Sequence, residues 1–384
     1  MRAGWLGFVA AGLLLSGCQQ RADTVAPTGQ SSFLSYQQQT RDFVAAHRRF
    51  QTLQKEDELR WNTPQEWRPA DGSTAKGILL IHGLGDSPGS FSDVGPALAA
   101  QGFVVRTVLL PGHGTRPADM LNVSVDDWRR IVREQADILG RDVDRLYLGG
   151  FSTGGNLALE YAIQHPDAKG VLLFSPALKS STGYDFLAPT VSLFRDWLRP
   201  PSAIFPQQIA TRYLRVPTNG FAQFWYTSAA VQALLKKHPY DKPVLMVLTE
   251  HDSVLDTGWI LNQFDARFIH PASRVIWYGS PQPQVAQNPR VLVRADYLPE
   301  ERISQFSHMS VLFSPDNPLY GRKGRERLCA NGQDELAAKA CLNGDEVWYS
   351  DWGYQQPGKI HARLTWNPWF TWQESVMKSV FSSG

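Results

Sequence analysis

Residues 144–165 read DRLYLGGFSTGGNLALEYAIQH, with Ser152 at the centre. The apolar run 145–148 is typical of a buried strand, 150–154 reads Gly-x-Ser-x-Gly, and 156–164 has helical character. A serine between a strand and a helix sits in a sharp, strained turn, and small flanking residues let the two elements approach. The stretch therefore predicts a strand, a turn that presents the Ser152 hydroxyl, and a helix.

Short continuous apolar runs recur along the chain and alternate with segments of helical periodicity. The runs lie at 77–81, 103–110, 170–175, 243–249 and 274–278. Such runs are typical of strands buried in a parallel sheet. Ser124 and Asp127 have the spacing of a capping box at the start of the clearest helix. The alternation predicts an α/β fold with a mostly parallel, doubly wound sheet.

Residues 176–240 interrupt this alternation and are rich in aromatic side chains. Ligand sites in open α/β sheets lie beyond the carboxyl ends of the strands, and this segment follows the strand that ends at Ser175. It is therefore predicted to form a cap over Ser152. Four of its apolar residues have the spacing of one helical face: Leu187, Val191, Phe194 and Leu198. Most of its aromatics are expected to form a small core within the cap, with a few lining a pocket.

Composition excludes some classes of function. The chain has 384 residues, 43% of them hydrophobic, which is enough to bury a large core. Lys and Arg total 38 against 36 for Asp and Glu, and the formal charge of +2 gives no field suited to nucleic acid. The basic run 322–327 is interpreted as a solvated surface. No cluster of His, Cys and carboxylates has zinc spacing, so the sequence implies no metal.

The N-terminus has the pattern of an export signal. Met1 and Arg2 give a short positive start, 3–15 is apolar but too short to span a bilayer, and small residues precede Cys18. Residues 1–17 are therefore predicted to be a signal peptide. Leu-Ser-Gly-Cys at 15–18 resembles the bacterial lipoprotein box, which implies a lipid on Cys18 and anchoring in the cell envelope. Residues 18–32 are interpreted as a flexible tether, and no aspartate follows Cys18, which favours the outer membrane, facing the periplasm.

Two further cysteines are left once the lipid has used one of three. Cys329 and Cys341 form a pair suited to a disulfide in an oxidising compartment. The alternative is a pair of buried free thiols.

Asp252 is the predicted acid of a catalytic triad. A serine hydroxyl becomes a good nucleophile when a histidine takes its proton and a carboxylate orients that histidine. After a strand–turn–helix serine motif, the acid and the histidine follow in that order, on loops after later strands. Asp252 comes directly after the run 244–249. Glu250 and Asp256 are the alternatives, and Asp256 has a sufficient role as the cap of the next helix.

His308 is the predicted base, because it lies in a loop of small polar residues beyond the last strand-like runs. Three other histidines follow or adjoin the acid: His251, His270 and His361. His270 lies at a helix end before a proline, and His361 lies among Arg and Lys residues. Both are interpreted as exposed polar residues, and His361 is the alternative base.

Acyl transfer also needs hydrogen-bond donors for the oxyanion. One is expected to be the backbone amide of Thr153, directly after Ser152, and the other the amide of Leu84 in the loop after the run 77–81. Neighbouring His82 is interpreted as a structural residue that packs the turn.

Five short motifs along the chain belong together: His82-Gly83, Pro111-Gly112-His113-Gly114, Gly150-Phe151-Ser152-Thr153-Gly154, His251-Asp252 and Ser307-His308. This set resembles the α/β-hydrolase superfamily, and most of all its branch of carboxylesterases, monoacylglycerol lipases and serine aminopeptidases of the S33 type. The resemblance implies an α/β-hydrolase domain over 33–384, with the cap 176–240 inserted. It implies hydrolysis without a cofactor by the residues already predicted: nucleophile Ser152, acid Asp252, base His308 and the amides of Leu84 and Thr153.

The chain departs from that pattern near its end. Residues 281–306, with a strand-like run at 291–297, separate the strand 274–278 from His308, where the base usually follows its strand closely. The C-terminal extension 309–384, which contains the cysteine pair, is longer than the single closing helix of that branch.

The charge of the cap bears on the substrate. Residues 176–240 contain seven Lys and Arg against two Asp, a net charge of 7 − 2 = +5. An aminopeptidase must hold a substrate ammonium and would favour carboxylates there. The sequence therefore favours a carboxylic ester with an apolar acyl chain, a small-molecule or lipid-like substrate. The alternatives are an aminopeptidase-like hydrolase and a catalytically inactive envelope lipoprotein that keeps the fold.

Overall fold

The fold is built on one eight-stranded sheet. The computed structural model describes residues 26–198, 206–282, 285 and 287–382. The strands of the sheet, in chain order, are β1 (Glu66–Trp67), β2 (Lys76–Ile81), β3 (Phe103–Val108), β4 (Leu146–Phe151), β5 (Val171–Phe174), β6 (Val244–Thr249), β7 (Arg274–Tyr278) and β8 (Val291–Arg294). Their order is β1-β3-β2-β4-β5-β6-β7-β8, and every neighbouring pair is parallel except β1 with β3. The predicted α/β fold with a mostly parallel sheet is confirmed.

Helices follow most of these strands. They are α1 (Phe33–His47), α2 (Lys55–Asn62), α3 (Val94–Ala100), α4 (Val125–Asp142), α5 (Thr153–Gln164), α6 (Ala188–Ser192), α7 (Thr218–Lys237), α8 (Thr257–Arg267), α9 (Glu335–Leu342) and α10 (Phe370–Phe381). The predicted capping box is present at α4: the Ser124 hydroxyl accepts from the Asp127 amide, and the Asp127 carboxylate accepts from the Ser124 amide at 2.9 Å. Within the described part of the chain, no helix is both long enough and apolar enough to span a bilayer.

Both faces of the sheet are covered. On β2, Leu79 and Ile81 belong to one apolar core and Ile78 and Leu80 to the other, because alternate residues of a strand point to opposite faces. Helices α4, α5, α7 and α8 contribute to the first core. Helices α3 and α10 contribute to the second core together with residues 303–320. The C-terminal extension therefore supplies part of the cover of one face.

The extension also carries a small disulfide-linked unit. Cys329 and Cys341 form the predicted disulfide, with a sequence separation of 12. Strands β9 (Trp348–Ser350) and β10 (His361–Arg363) pair in parallel beside it. Cys329, Cys341, Val347 and Ala362 form the small core of this unit.

The predicted helical face at 187–198 is wrong. This part of the cap contains a 3-10 turn (Asp185–Leu187) and the five-residue helix α6, after which the chain turns so that the Asp196 carbonyl accepts from the Thr218 amide at 2.7 Å. The apolar side chains of this segment stay accessible: Phe194 is 85% exposed and Leu193 77%. The helix ends at Ser192, so the spacing of these four residues does not correspond to one continuous helical face.

The predicted signal peptide, Cys18 and most of the tether lie outside the described residues, which begin at residue 26.

Candidate active site

Ser152 occupies a strained turn between β4 and α5. Its φ of 53° and ψ of −118° are a conformation that L-residues rarely adopt. The flanking glycines are required by the close approach of backbone: a Cβ on Gly154 would lie 2.0 Å from the Ile81 carbonyl oxygen, and one on Gly150 2.3 Å from the Gly154 oxygen. Helix α5 therefore packs on β2 at backbone contact, and the turn holds the serine at the carboxyl end of the sheet.

Asp252 lies in the loop after β6, and its carboxylate is fully buried. Oδ1 accepts from the amides of Val254 and Leu255 at 2.8 and 3.0 Å, which leaves Oδ2 to meet His308 Nδ1 at 2.7 Å. Both carboxylate oxygens thus have partners, and the side chain can point in one direction only.

The two alternative carboxylates have other roles. Asp256 caps α8, where its Oδ1 accepts from the Trp259 amide at 3.0 Å. Glu250 accepts from the backbone amide of Ser280 and from the side-chain amide of Gln282. Of the three carboxylates, Asp252 is the one that bonds to His308.

The His308 imidazole is oriented on several sides. With Nδ1 donating to Asp252, the ring carries its proton there and Nε2 keeps a lone pair. Nε2 has no hydrogen-bond partner among the described residues. The ring centroid lies 5.0 Å from that of Phe151, the residue before the serine. Buried Ser175, at the end of β5, donates its hydroxyl to the His308 carbonyl at 3.0 Å. The Nε2 lone pair is therefore free to accept a proton.

The other histidines near the acid are engaged elsewhere. His251 bonds through Nδ1 to Asp296 at 2.6 Å, and this hydrogen bond raises the pKa of His251. The prediction that His361 is exposed is wrong: it is 1% exposed, with Tyr354 against its ring. Contacts between residues distant in sequence, within the disulfide-linked unit, bury it despite its charged neighbours.

Two backbone amides near the turn, those of Leu84 and Thr153, have no acceptor among the described residues. Neither the Leu84 amide nor the Thr153 amide donates a hydrogen bond within the described ranges. A Cβ on Gly83 would lie 3.2 Å from the Ser152 Cβ, so the loop after β2 passes directly over the serine. The free amides lie on the two residues predicted to bind the oxyanion.

Two buried histidines fix the loop after β2. His82 Nε2 accepts from the Leu110 amide at 3.0 Å, and His113 Nε2 accepts from the Gly85 amide at 3.0 Å. Burial lowers the pKa of His82 to about 4 and that of His113 to about 3. Both rings are therefore neutral near pH 7 and serve as acceptors. The prediction that His82 packs the turn agrees with this geometry, whereas sequence reasoning gave His113 no role.

The described part of the cap segment 176–240 contacts the loops that bear these residues. The Tyr213 amide donates to the Gly85 carbonyl at 2.7 Å, and the Ser181 amide donates to the Val254 carbonyl at 3.0 Å. Arg212 donates to the Met309 sulfur at 3.2 Å. The segment therefore borders three loops, which we name by the predicted roles of their residues. They are the oxyanion loop after β2 with Leu84, the acid loop after β6 with Asp252, and the base loop with His308.

One group of residues has side chains typical of metal ligands. Glu250, His251 and Asp296 bring one ligand atom each within 4.8 Å of one another. Their atoms already bond to one another or to neighbouring amides, as described above. This group therefore fits an internal hydrogen-bond network, and we derive no step of chemistry from a metal there.

Comparison with known proteins identifies the family of the chain. The family model described as serine aminopeptidase, S33, matches residues 72–265, half of the chain. A thermostable monoacylglycerol lipase from Bacillus sp. (strain H-257) is 29% identical over 188 residues, which are 47% of this chain and 72% of the lipase. A pyrethroid hydrolase from Sphingobium wenxiniae is 34% identical over 110 residues, 29% of this chain and 39% of the hydrolase.

A structural likeness accompanies these matches. The crystal structure of a soluble variant of monoglyceride lipase from Saccharomyces cerevisiae, in complex with a substrate analogue, aligns with 56% of this chain and 81% of its own. The TM-score is 0.46 and the sequence identity 18%. The family assignment rests on the model match and not on this likeness.

Proposed function

Because this chain belongs to the serine aminopeptidase S33 family of α/β hydrolases, we propose that it is a serine hydrolase that cleaves carboxylic esters with an apolar acyl chain. The observation that carries the proposal is the 2.7 Å bond between Asp252 Oδ2 and His308 Nδ1, on a ring whose centroid lies 5.0 Å from that of Phe151, the residue before the strained serine. Such an arrangement supplies a base for a hydroxyl that is otherwise a weak nucleophile.

The proposed reaction has two halves. His308 Nε2 takes the Ser152 proton as Oγ attacks the acyl carbon, and the amides of Leu84 and Thr153 bind the oxyanion. His308 then gives the proton to the leaving alkoxide, which departs as the alcohol and leaves an acyl-serine. Water repeats the sequence, with its proton passing through His308, and releases the carboxylic acid and the free serine. Asp252 keeps the imidazole oriented and stabilises its positive charge in both halves.

Surface properties support an apolar acyl group. The cap exposes large apolar side chains, among them Tyr184 at 74% and Phe194 at 85%. Two carboxylates near the acid, Glu250 and Asp296, are occupied by internal partners and so are poorly placed to hold a substrate ammonium. The named lipase among the relatives favours the same substrate class. The family description keeps an aminoacyl amide as the competing substrate.

The test compares esters with amides on the purified protein. A p-nitrophenyl ester series of graded acyl length is measured against aminoacyl p-nitroanilides, and a fluorophosphonate probe reports the activated serine. We expect kcat/KM to rise with acyl length and to exceed that of every aminoacyl amide, with labelling lost in Ser152→Ala. Faster cleavage of aminoacyl amides would support the aminopeptidase alternative. Folded protein that neither labels nor turns over any substrate would support the inactive scaffold.

We also propose that the protein is exported and anchored in the outer membrane of a bacterial cell, facing the periplasm, by a lipid on Cys18. The disulfide between Cys329 and Cys341 supports an oxidising compartment, where such bonds persist. We expect Cys18→Ala to move the protein from the membrane fraction to the soluble periplasmic fraction, because a lipid chain supplies most of the membrane affinity. Cys329→Ser serves as the control, since it keeps the lipid site. Sedimentation of Cys18→Ala with membranes would contradict the anchor.

A further inference from the structure

Asp351 lies directly after β9, in the C-terminal extension, and is 1% exposed. Its carboxylate bridges two loops of the candidate active site. Oδ2 accepts from the Ser253 amide at 2.6 Å, and Oδ1 accepts from the His308 amide at 3.3 Å. Ser253 is the residue after the acid, and His308 is the base. One buried side chain therefore joins the backbones that carry the two members of the proton relay.

Among the described residues, other hydrogen bonds also reach these two backbones, and the Ser253 carbonyl accepts from the Ser181 hydroxyl at 2.9 Å. The His308 carbonyl accepts from Ser175 on one side, and the amide donates to Asp351 on the other. The acid loop is turned around Asp252 Oδ1, and Asp351 holds the residue where that turn begins. Loss of the Asp351 carboxylate would remove one hydrogen bond from each loop without removing any atom of the triad.

The surroundings of Asp351 fix its own position. Burial raises its pKa, and the hydrogen bond from Ser253 and the positive charge of Arg363 act in the opposite direction. Asn331 joins the two: its Oδ1 accepts from Arg363 Nε at 2.7 Å, and its Nδ2 donates to the Asp351 carbonyl at 3.1 Å. Asn331 is fully buried and lies two residues after Cys329 of the disulfide. The disulfide-linked unit thus fixes the backbone of Asp351 and, through it, the position of the carboxylate.

We propose that Asp351 is a positioning residue for the hydrolase, which holds the acid loop and the base loop together so that Asp252 and His308 stay aligned on Ser152. The proposal rests on the function proposed above. It assigns a role in catalysis to the C-terminal extension, which lies beyond the region 72–265 matched by the family model. A misplacement of about 1 Å in such a relay costs on the order of 100-fold in rate.

The test separates alignment from general stability. Asp351→Ala removes both acceptors, whereas Asp351→Asn keeps the shape and one acceptor oxygen. Glu160→Gln is the matched control, because Glu160 is a buried carboxylate beside an arginine, Arg129, on helices away from the acid and base loops. For each variant, kcat and KM for p-nitrophenyl butyrate, the fluorophosphonate labelling rate and the folded fraction in urea are measured.

We expect kcat per folded molecule to fall on the order of 100-fold in Asp351→Ala with KM within about twofold. The labelling rate should fall in parallel, and Asp351→Asn should lose on the order of tenfold because one hydrogen bond is kept. Glu160→Gln should keep kcat per folded molecule. Unchanged kcat per folded molecule in Asp351→Asn, or an equal fall in Glu160→Gln, would overturn the proposal. Wild-type protein without turnover or labelling would instead refute the proposed function.

Discussion

Replacement of Ser152 by alanine is expected to lower kcat for ester hydrolysis about a millionfold, to the level left by the oxyanion amides and substrate binding. The reason is that the acyl-enzyme can no longer form, while His308 and Asp252 keep their 2.7 Å bond. The fold should persist, since alanine removes a single oxygen. Steady-state kinetics on the same ester, with urea unfolding alongside, measures both.

The matched variants test whether the three residues act as one unit. We expect His308→Ala alone to cost about as much as Ser152→Ala, and the double variant to cost no more than either, because the base has no purpose without the nucleophile. Ser379→Ala on α10 is the control for loss of a serine hydroxyl elsewhere. If Ser152→Ala keeps more than about a hundredth of the activity, another nucleophile performs the reaction.

The parts of the fold that sequence could predict are those fixed by local pattern. The turn at Ser152 needs small residues at Gly150 and Gly154, and the structure shows backbone atoms where their side chains would be. Strands buried in a parallel sheet are made of continuous apolar runs. The sequence alone therefore predicts β2, β4, β5, β6 and β7. The order of residues after the strand–turn–helix serine motif limits the choice of acid and base. The structure brings the predicted pair, Asp252 and His308, together.

The features that sequence could not predict depend on contacts between distant segments. Burial of His361 comes from Tyr354 and the disulfide-linked unit, neither of which its charged neighbours indicate. The bridge made by Asp351 spans 98 residues to Ser253 and 43 to His308. Helical spacing at 187–198 was misleading, because the helix covers only Ala188–Ser192 and the apolar side chains Phe194 and Leu198 beyond it stay exposed. An apolar pattern shows which residues can be buried and not which surface meets them.

Stability is expected to fall by about 5 kcal/mol between pH 6.5 and pH 4.5 through His82 and His113 alone. Burial places their folded-state pKa values at about 4 and about 3, below the unfolded value of about 6.5. The unfolded chain therefore binds more protons in this range, so stability is present above pH 6.5 and is lost as the pH falls. Each histidine contributes a slope of up to about 1.4 kcal/mol per pH unit.

Other groups act with the opposite sign, so the slope must be assigned by substitution. The folded-state pKa of His251 is raised by Asp296, and that of Glu160 is raised by burial. Each of these groups therefore adds to the stability of the fold as the pH falls. His113→Gln places a neutral side-chain oxygen at the reach of Nε2, where the Gly85 amide donates, and removes the titrating ring. We expect it to reduce the slope of unfolding free energy against pH by about 1.4 kcal/mol per unit, measured by urea denaturation.

Leu148→Ala is the control for a loss of stability that does not depend on pH, because it creates a cavity in the first apolar core without removing a titrating group. Its unfolding free energy should be lower at every pH and keep the wild-type slope.

The link to function lies in the loop after β2, which His82 and His113 hold. A proton on His113 Nε2 would face the Gly85 amide, donor against donor, and would push the oxyanion loop away from Ser152. Ester turnover in wild-type protein should therefore fall before global unfolding as the pH is lowered. A slope of unfolding free energy against pH in His113→Gln equal to that of the wild type would show that this ring is not the group that titrates.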